Sequence, residues 1–293
     1  MYAFIERPCC PVCGGTKNEE LYAEPFAVGG TGEFLKDYYE NRLDINRMGE
    51  ALYVLSRCAE CTLIYQRFVL AEEGLSDLYE RAIDPQASLA KRTTADESYA
   101  RGLWIDSGYV MRFFSNRKPE QLDVLDFGMG WGHWCIGAKR HGYNVFGAEL
   151  SDVRKDYALQ NGVQLCTPLE KDDDQLFDFI NTDQVVEHLM DPLIILRSLA
   201  GKLKKHGVIK IFVPNSPVDY RQVKAGRWRP AKDAFHPLEH VNGFNRLSID
   251  FLARRVGLRP LTLTEMIKAK GVRGLAAWAR RARGNPNWYF RRD

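Results

Sequence analysis

The stretch Asp126-Phe127-Gly128-Met129-Gly130-Trp131-Gly132 decides how this chain is read. It continues a short apolar run, Leu122-Asp123-Val124-Leu125, and precedes a helical segment over residues 133–141 that Gly142 closes. A strand that passes to a helix through three glycines brings backbone without Cβ atoms close to whatever sits there. Helix N-terminal N–H groups point at the same place. In open α/β sheets, ligands bind at the carboxyl ends of the strands near the switch point. The spacing narrows the ligand. A dinucleotide fingerprint is G-x-G-x-x-G. Here the third glycine comes one residue early, as G-x-G-x-G, and His133 holds the dinucleotide position. Asp126 stands two residues before Gly128, and Glu149 ends the next strand, 21 positions after Gly128. A carboxylate at that place can accept both ribose hydroxyls of a nucleoside.

Outward from the loop, strands and helices alternate. Residues 122–127, 144–149, 163–166, 176–181 and 208–213 read as strands, the last stopped by Pro214. Helices are expected over residues 133–141, from the Ser151 cap to Gln160, and over 192–204. Later, Ser248 caps a helix running to Val256, and residues 259–264 read as a final strand. This alternation implies a parallel sheet covered on both faces. Residues 98–114 read as a preceding helix, ended before Pro119.

On these motifs, residues 121–264 resemble a class I S-adenosylmethionine-dependent methyltransferase. The loop at 126–132 matches that family's first motif, and Glu149 matches its ribose-binding acid. Residues 177–180 with Val186-Glu187-His188-Leu189-Met190-Asp191-Pro192 resemble the fourth-strand motif. Val213-Pro214-Asn215 resembles the end of the fifth strand, and His240-Val241-Asn242-Gly243-Phe244 a pattern of the branch acting on small molecules and sugars. Bulky Met129 and Trp131 depart from the pattern, as does the single obvious strand after residue 248 where the full fold has two. The resemblance implies a Rossmann-like α/β sheet with helices on both faces. It also implies that Asp126, Phe127, Gly128, Gly130, Gly132, Glu149, Leu150, Asp183 and Gln184 line the S-adenosylmethionine. Methyl transfer is an in-line displacement in which the protein mainly positions cofactor and acceptor.

Many family members then need only a base for the acceptor's proton. His188, beside Glu187, or His240 is the candidate, because imidazole titrates near neutrality. His236 lies in the same region. Two alternatives stand beside it: Glu187 and His188 only fix the loop, or Glu187, His188, Asp191 and His240 hold a divalent metal.

The seven cysteines point to metal rather than disulfides, because four form two Cys-x-x-Cys pairs and no secretion signal is evident. Cys10, Cys13, Cys58 and Cys61 together make a tetrahedral sulfur site for a structural zinc. Cys9 could compete with Cys10, while Cys135 and Cys166 read as core. The resulting division is a zinc-binding module at 1–72 with little core of its own, a helical linker at 73–120, the methyltransferase domain at 121–265, and a basic tail at 266–293. Some sugar methyltransferases resemble this arrangement. The sugar C-methyltransferases among them carry a long further C-terminal domain, so the resemblance favours transfer to oxygen.

The tail carries Lys268, Lys270, Arg273, Arg280, Arg281, Arg283, Arg291 and Arg292 against Asp293 alone, with Trp278, Trp288, Tyr289 and Phe290 between them. It reads as a contact for a phosphate-bearing acceptor, as a peripheral membrane contact, or as a helix packing Leu275 and Trp278 on the domain. A net charge of +3 argues for neither nucleic acid nor membrane by itself. No run of about 18 apolar residues occurs, so a cytoplasmic enzyme is expected.

The expected function is therefore methyl transfer from S-adenosylmethionine to a small-molecule or glycan acceptor. An RNA methyltransferase that reads its substrate through the zinc module needs a basic module. Residues 1–70 instead hold seven basic residues against ten acidic ones. An inactive binding module that keeps the fold is the remaining alternative. The intact loop and Glu149 count against it.

Overall fold

The computed structural model describes residues 1–83, 89–90, 97–170, 173–214, 216–271 and 287–293. The chain forms two compact units. One comprises Met1–Ala90, Glu187–Pro192 and Pro214–Phe251, and the other Lys91–Val186, Leu193–Val213 and Leu252–Asp293.

The second unit is built on a seven-stranded mixed sheet. Its strands lie in the order Leu258–Pro260, Asn287–Arg292, Leu203–Phe212, Phe177–Asp183, Asp123–Phe127, Asn144–Ala148, Gln164–Leu165. The five from Leu203–Phe212 to Gln164–Leu165 pair in parallel, and Asn287–Arg292 runs antiparallel to both its neighbours. Phe177–Asp183 is buried along nearly its whole length, as a strand covered on both faces must be. Val124, Val145, Phe179, Val208 and Tyr289 from the sheet share one core with Val110, Trp134, Cys135 and Ala138 from helices Glu97–Phe113 and His133–Lys139. The switch point, where the chain order reverses, lies at Asp123–Phe127, the strand that ends in the glycine loop.

Three readings of the sequence change here. The stretch taken for a basic tail supplies an interior strand next to the sheet edge, with Trp288 and Phe290 buried, and so provides the second late strand. Two of its basic residues are bound inside the fold: Arg291 donates to Glu265 (2.8 Å) and Arg292 to the Gly201 carbonyl (2.9 Å). Leu275, Trp278, Arg273, Arg280, Arg281, Arg283 and Asn215 lie outside the described residues. Secondly, the strand expected at 259–264 stops at Pro260. Thr262 and Glu265 then form a reciprocal cap that opens helix Leu263–Lys270. Thirdly, the late helix is Arg246–Arg255, capped by the Asn245 side chain accepting from the Leu247 and Ser248 N–H groups rather than by Ser248.

The first unit carries a four-stranded antiparallel sheet, Asn242–Gly243, Ile64–Gln66, Leu52–Cys58 and Asn18–Pro25. A short pair, Phe4–Glu6 with Phe68–Leu70, accompanies it. The expectation of little core does not hold. Phe26, Leu35, Tyr39, Met48 and Tyr53 are buried with Trp228, Phe235 and Leu238. The last three come from a segment at least 175 residues away in sequence, which is why the N-terminal composition did not announce them. Among the described residues no helix is long and apolar enough to cross a membrane.

Candidate functional site

In the second unit, Gly128, Gly130 and Gly132 all have positive φ (73°, 55° and 72°), the region L side chains avoid. The turn is pinned from behind: the Gly128 and Met129 N–H groups donate to the Ala148 carbonyl at 2.9 and 3.0 Å. A Cβ on Gly128 would lie 2.4 Å from Val185 Cγ2, whereas one on Gly130 would meet nothing within 4 Å. Gly128 therefore faces packed protein and Gly130 faces open space. The bulky Met129 is accommodated because its sulfur occupies the place a side chain at Gly147 would need.

Glu149 organises the rim of the loop. Its Oε2 accepts from the Gly130 N–H at 2.9 Å, and its Oε1 from the Leu150 and Ser151 N–H groups at 2.9 and 3.1 Å. Leu150 beside it is 94% exposed. Asp126 is buried under the turn, where Asn181 Nδ2 donates to it at 2.7 Å. Burial pushes its carboxyl up to about 7, against that hydrogen bond. It thus braces the turn and has no exposed face. Phe127 is half-buried; Asp183 ends its strand 41% exposed, with Gln184 following in the left-handed region.

In the first unit, one donor atom from each of Glu187, His188 and His240 lies within 4.8 Å of the other two. Glu187 is fully buried. The rings of His188 and His240 meet edge to face at 4.9 Å. Burial, reinforced by the neighbouring imidazole, lowers His188 to about 3 and His240 to about 4. Both are therefore neutral at ordinary pH. The surroundings hold them in place. His240 Nδ1 bonds the Asp233 carbonyl, and Gln66 Nε2 donates to the carbonyls of His236 (3.0 Å) and His240 (3.1 Å). Asn242 Nδ2 donates to the Leu189 carbonyl at 2.6 Å, and buried Arg7 ties Asn242 to Gln66 and Val241. Asp191 is exposed and outside the cluster. His236 is buried with its ring 5.5 Å from that of His240, packed by Phe34 and Tyr38, and is not one of the three converging donors.

One contact had no sequence signal. The Tyr79 hydroxyl, on a π-helical turn Leu78–Ala82, lies 3.3 Å from His188 Nδ1. More than a hundred residues separate them in sequence, and no motif marks the tyrosine.

The four cysteines of the pairs converge. Cys10 and Cys61 sulfurs lie 3.4 Å apart, as do those of Cys13 and Cys58. None is disulfide-bonded. A tetrahedral zinc with sulfur at about 2.3 Å needs sulfurs about 3.8 Å apart, so this cluster fits one. The thiols compete for ionisation. Donation from Cys61 lowers Cys10 to about 5, and Cys61 itself is pushed up. To be thiolates all together, the four would need a cation among them. Cys9 is exposed and outside the cluster. Cys135 is buried and Cys166 half-buried.

A methyltransferase-domain family profile matches residues 98–263. Among curated relatives, a ubiquinone biosynthesis O-methyltransferase of Chelativorans sp. (strain BNC1) is 33% identical over 108 residues, 33% of this chain and 43% of the relative. Its counterpart in Xanthomonas axonopodis pv. citri (strain 306) is 28% identical over 149 residues, 47% and 62% of the two chains. The chain thus spans about half the length of the curated relatives it matches. Among solved structures, an amino pentose methyltransferase from Micromonospora echinaspora aligns at TM-score 0.46 and 13% identity, covering 71% of this chain and 96% of that one.

Proposed function

This chain belongs to the class I S-adenosylmethionine-dependent methyltransferases, and we propose that it moves the sulfonium methyl to a hydroxyl of a small molecule or sugar. The observation that carries this reading is the glycine turn with Glu149 bonded across it at the switch point of the sheet. Gly130 leaves the room, and Glu149 supplies the carboxylate, for a ribose whose hydroxyls would take over from the Gly130 N–H. Leu150, Phe127, Asp183 and Gln184 are assigned to the rest of the nucleoside and to the amino-acid end. Asp126 is assigned to the support of the turn, with Gly128 and Gly132 giving its shape.

The acceptor oxygen is assigned to Glu187, His188 and His240. A neutral imidazole there, His188 or His240, is assigned to take the proton of the acceptor hydroxyl. The C–S bond breaks as the O–C bond forms, and the sulfur keeps the electron pair. The role for which the matched relatives are named, O-methylation, supports oxygen as the atom methylated. The cysteine cluster is assigned a structural zinc, since all four positions are protein ligands.

The test is transfer of labelled methyl from S-adenosylmethionine to phenols, nucleotide sugars and RNA in parallel. Label in a hydroxylated small molecule supports the reading. Label in RNA alone, or in none of the three, counts against it.

A further inference from the structure

We infer that Lys210, held by Asp106, sets how strongly the cofactor site prefers the cationic sulfonium of S-adenosylmethionine to the neutral sulfur of S-adenosylhomocysteine. Lys210 acts through Asp183, so it is a positioning residue. The inference rests on the assignment of Asp183 to the cofactor.

Lys210 is 3% exposed, inside strand Leu203–Phe212. Pairing with Asn181 on one side and Tyr289 on the other fixes its backbone. A buried ammonium needs partners. Its Nζ lies 2.7 Å from Asp106 Oδ2 and 3.9 Å from Asp183 Oδ2. The same Asp106 oxygen accepts from Trp134 Nε1 at 3.1 Å. Helix Glu97–Phe113, which carries Asp106, is thereby tied both to the sheet and to helix His133–Lys139, which leaves the glycine turn. Swinging Asp106 away would break both bonds. Lys210 therefore gives most of its charge to Asp106 and a smaller share to Asp183.

That division matters at Asp183. Its carboxylate stands at the carboxyl end of a parallel strand, 41% exposed, where open α/β sheets take their ligands. Two carboxylates against one ammonium leave this wall one unit negative. The same charges reach the floor of the turn. After burial and the Asn181 hydrogen bond, Asp183 raises the buried Asp126 carboxyl and Lys210 lowers it. S-adenosylmethionine and its demethylated product differ by one positive charge, on sulfur. A negative wall favours the sulfonium, and the extent to which Lys210 screens Asp183 limits that preference.

The test is calorimetric titration of both compounds into the full chain at pH 6, below the value of about 7 to which burial raises Asp126. Lys210→Met removes the screening cation. The ratio of S-adenosylmethionine to S-adenosylhomocysteine affinity should rise about 3- to 10-fold. Asp106→Asn keeps an acceptor for Trp134 and leaves Lys210 to Asp183 alone, so the ratio should fall by a similar factor. Both substitutions break the same ion pair, so damage to the fold would move the two ratios together or leave both unchanged. Ratios that shift in the same direction, or stay at the parent's value, overturn the inference. A rise for Lys210→Met that persists in an Asp183→Asn background overturns it too. Where Lys210→Met does not fold, the sign of the Asp106→Asn shift decides: a fall supports the inference, and a rise or no change overturns it. A parent chain that binds neither compound contradicts the cofactor-site reading and the inference with it, whereas unchanged ratios with binding intact leave that reading standing.

Discussion

The Gly130 N–H donates to Glu149 Oε2 at 2.9 Å, so the acid ending one strand is tied to the glycine turn ending its neighbour. Three more backbone N–H groups, those of Gly128, Leu150 and Ser151, are satisfied in the same rim. The turn is therefore formed in advance. A ligand that displaced the Gly130 bond would meet a carboxylate already aimed.

Two glycines of this turn should fail differently. Gly128→Ala places a methyl 2.4 Å from Val185 Cγ2 at a positive φ. Strain and overpacking together predict a loss of roughly 2–4 kcal/mol in stability. Gly130→Ala meets only the conformational cost, about 1–2 kcal/mol, yet fills the open side. Thermal melts with and without S-adenosylhomocysteine separate them: Gly128→Ala melts low in both, whereas Gly130→Ala loses the ligand-induced rise.

Asp126 predicts a pH dependence. Its folded-state value, raised by burial to about 7, lies above the unfolded one near 3.9. Between these values the native state holds the extra proton, so stability falls as pH rises from about 4 to 7. Asp126→Asn keeps an acceptor for Asn181 and removes the titration. Its stability curve should be flatter over that range, and the variant should gain up to a few kcal/mol over the parent at pH 8. Denaturant melts at pH 5 and 8 check this. A parallel pair of curves contradicts it.

The cysteine cluster predicts one zinc per chain by metal analysis. Cys58→Ser removes a ligand whose sulfur lies 3.4 Å from Cys13. Loss of the metal should lower the melting temperature by about 10 °C or more, since several kcal/mol of binding energy is folding energy here. Full metal content in the variant would contradict the four-thiolate assignment.

Residues 287–293 predict a truncation outcome opposite to that of a free tail. Asn287–Arg292 is inserted between Leu203–Phe212 and Leu258–Pro260, and Phe290 is fully buried. Phe290→Ala should cost about 3–5 kcal/mol. Removal of 287–293 should abolish cooperative unfolding, measured by circular dichroism.

The parts of the fold visible in sequence are the local ones. The strand–glycine–helix order around residues 122–149 rests on patterns within a few residues, and the structure reproduces it. Cys-x-x-Cys spacing likewise states its own geometry, and the four sulfurs converge. Asn287–Arg292 was hidden because Arg291 and Arg292 read as part of a basic tail, although they bond Glu265 and the Gly201 carbonyl. The core of the N-terminal unit was hidden because Trp228, Phe235 and Leu238 complete it from far along the chain. Glu187, His188 and His240 were singled out by type. Their mutual approach, and Tyr79 beside them, depend on packing between segments that no spacing rule relates.

The central claim is that Glu149 and the glycine turn hold the methyl donor. Calorimetric titration of S-adenosylhomocysteine into the parent chain and into Glu149→Ala tests it most directly. Loss of charge-assisted hydrogen bonds worth about 1.5–3 kcal/mol predicts binding weaker by roughly 10- to 150-fold, with the melting temperature of the free protein little changed. Equal affinity in the two proteins would contradict the account.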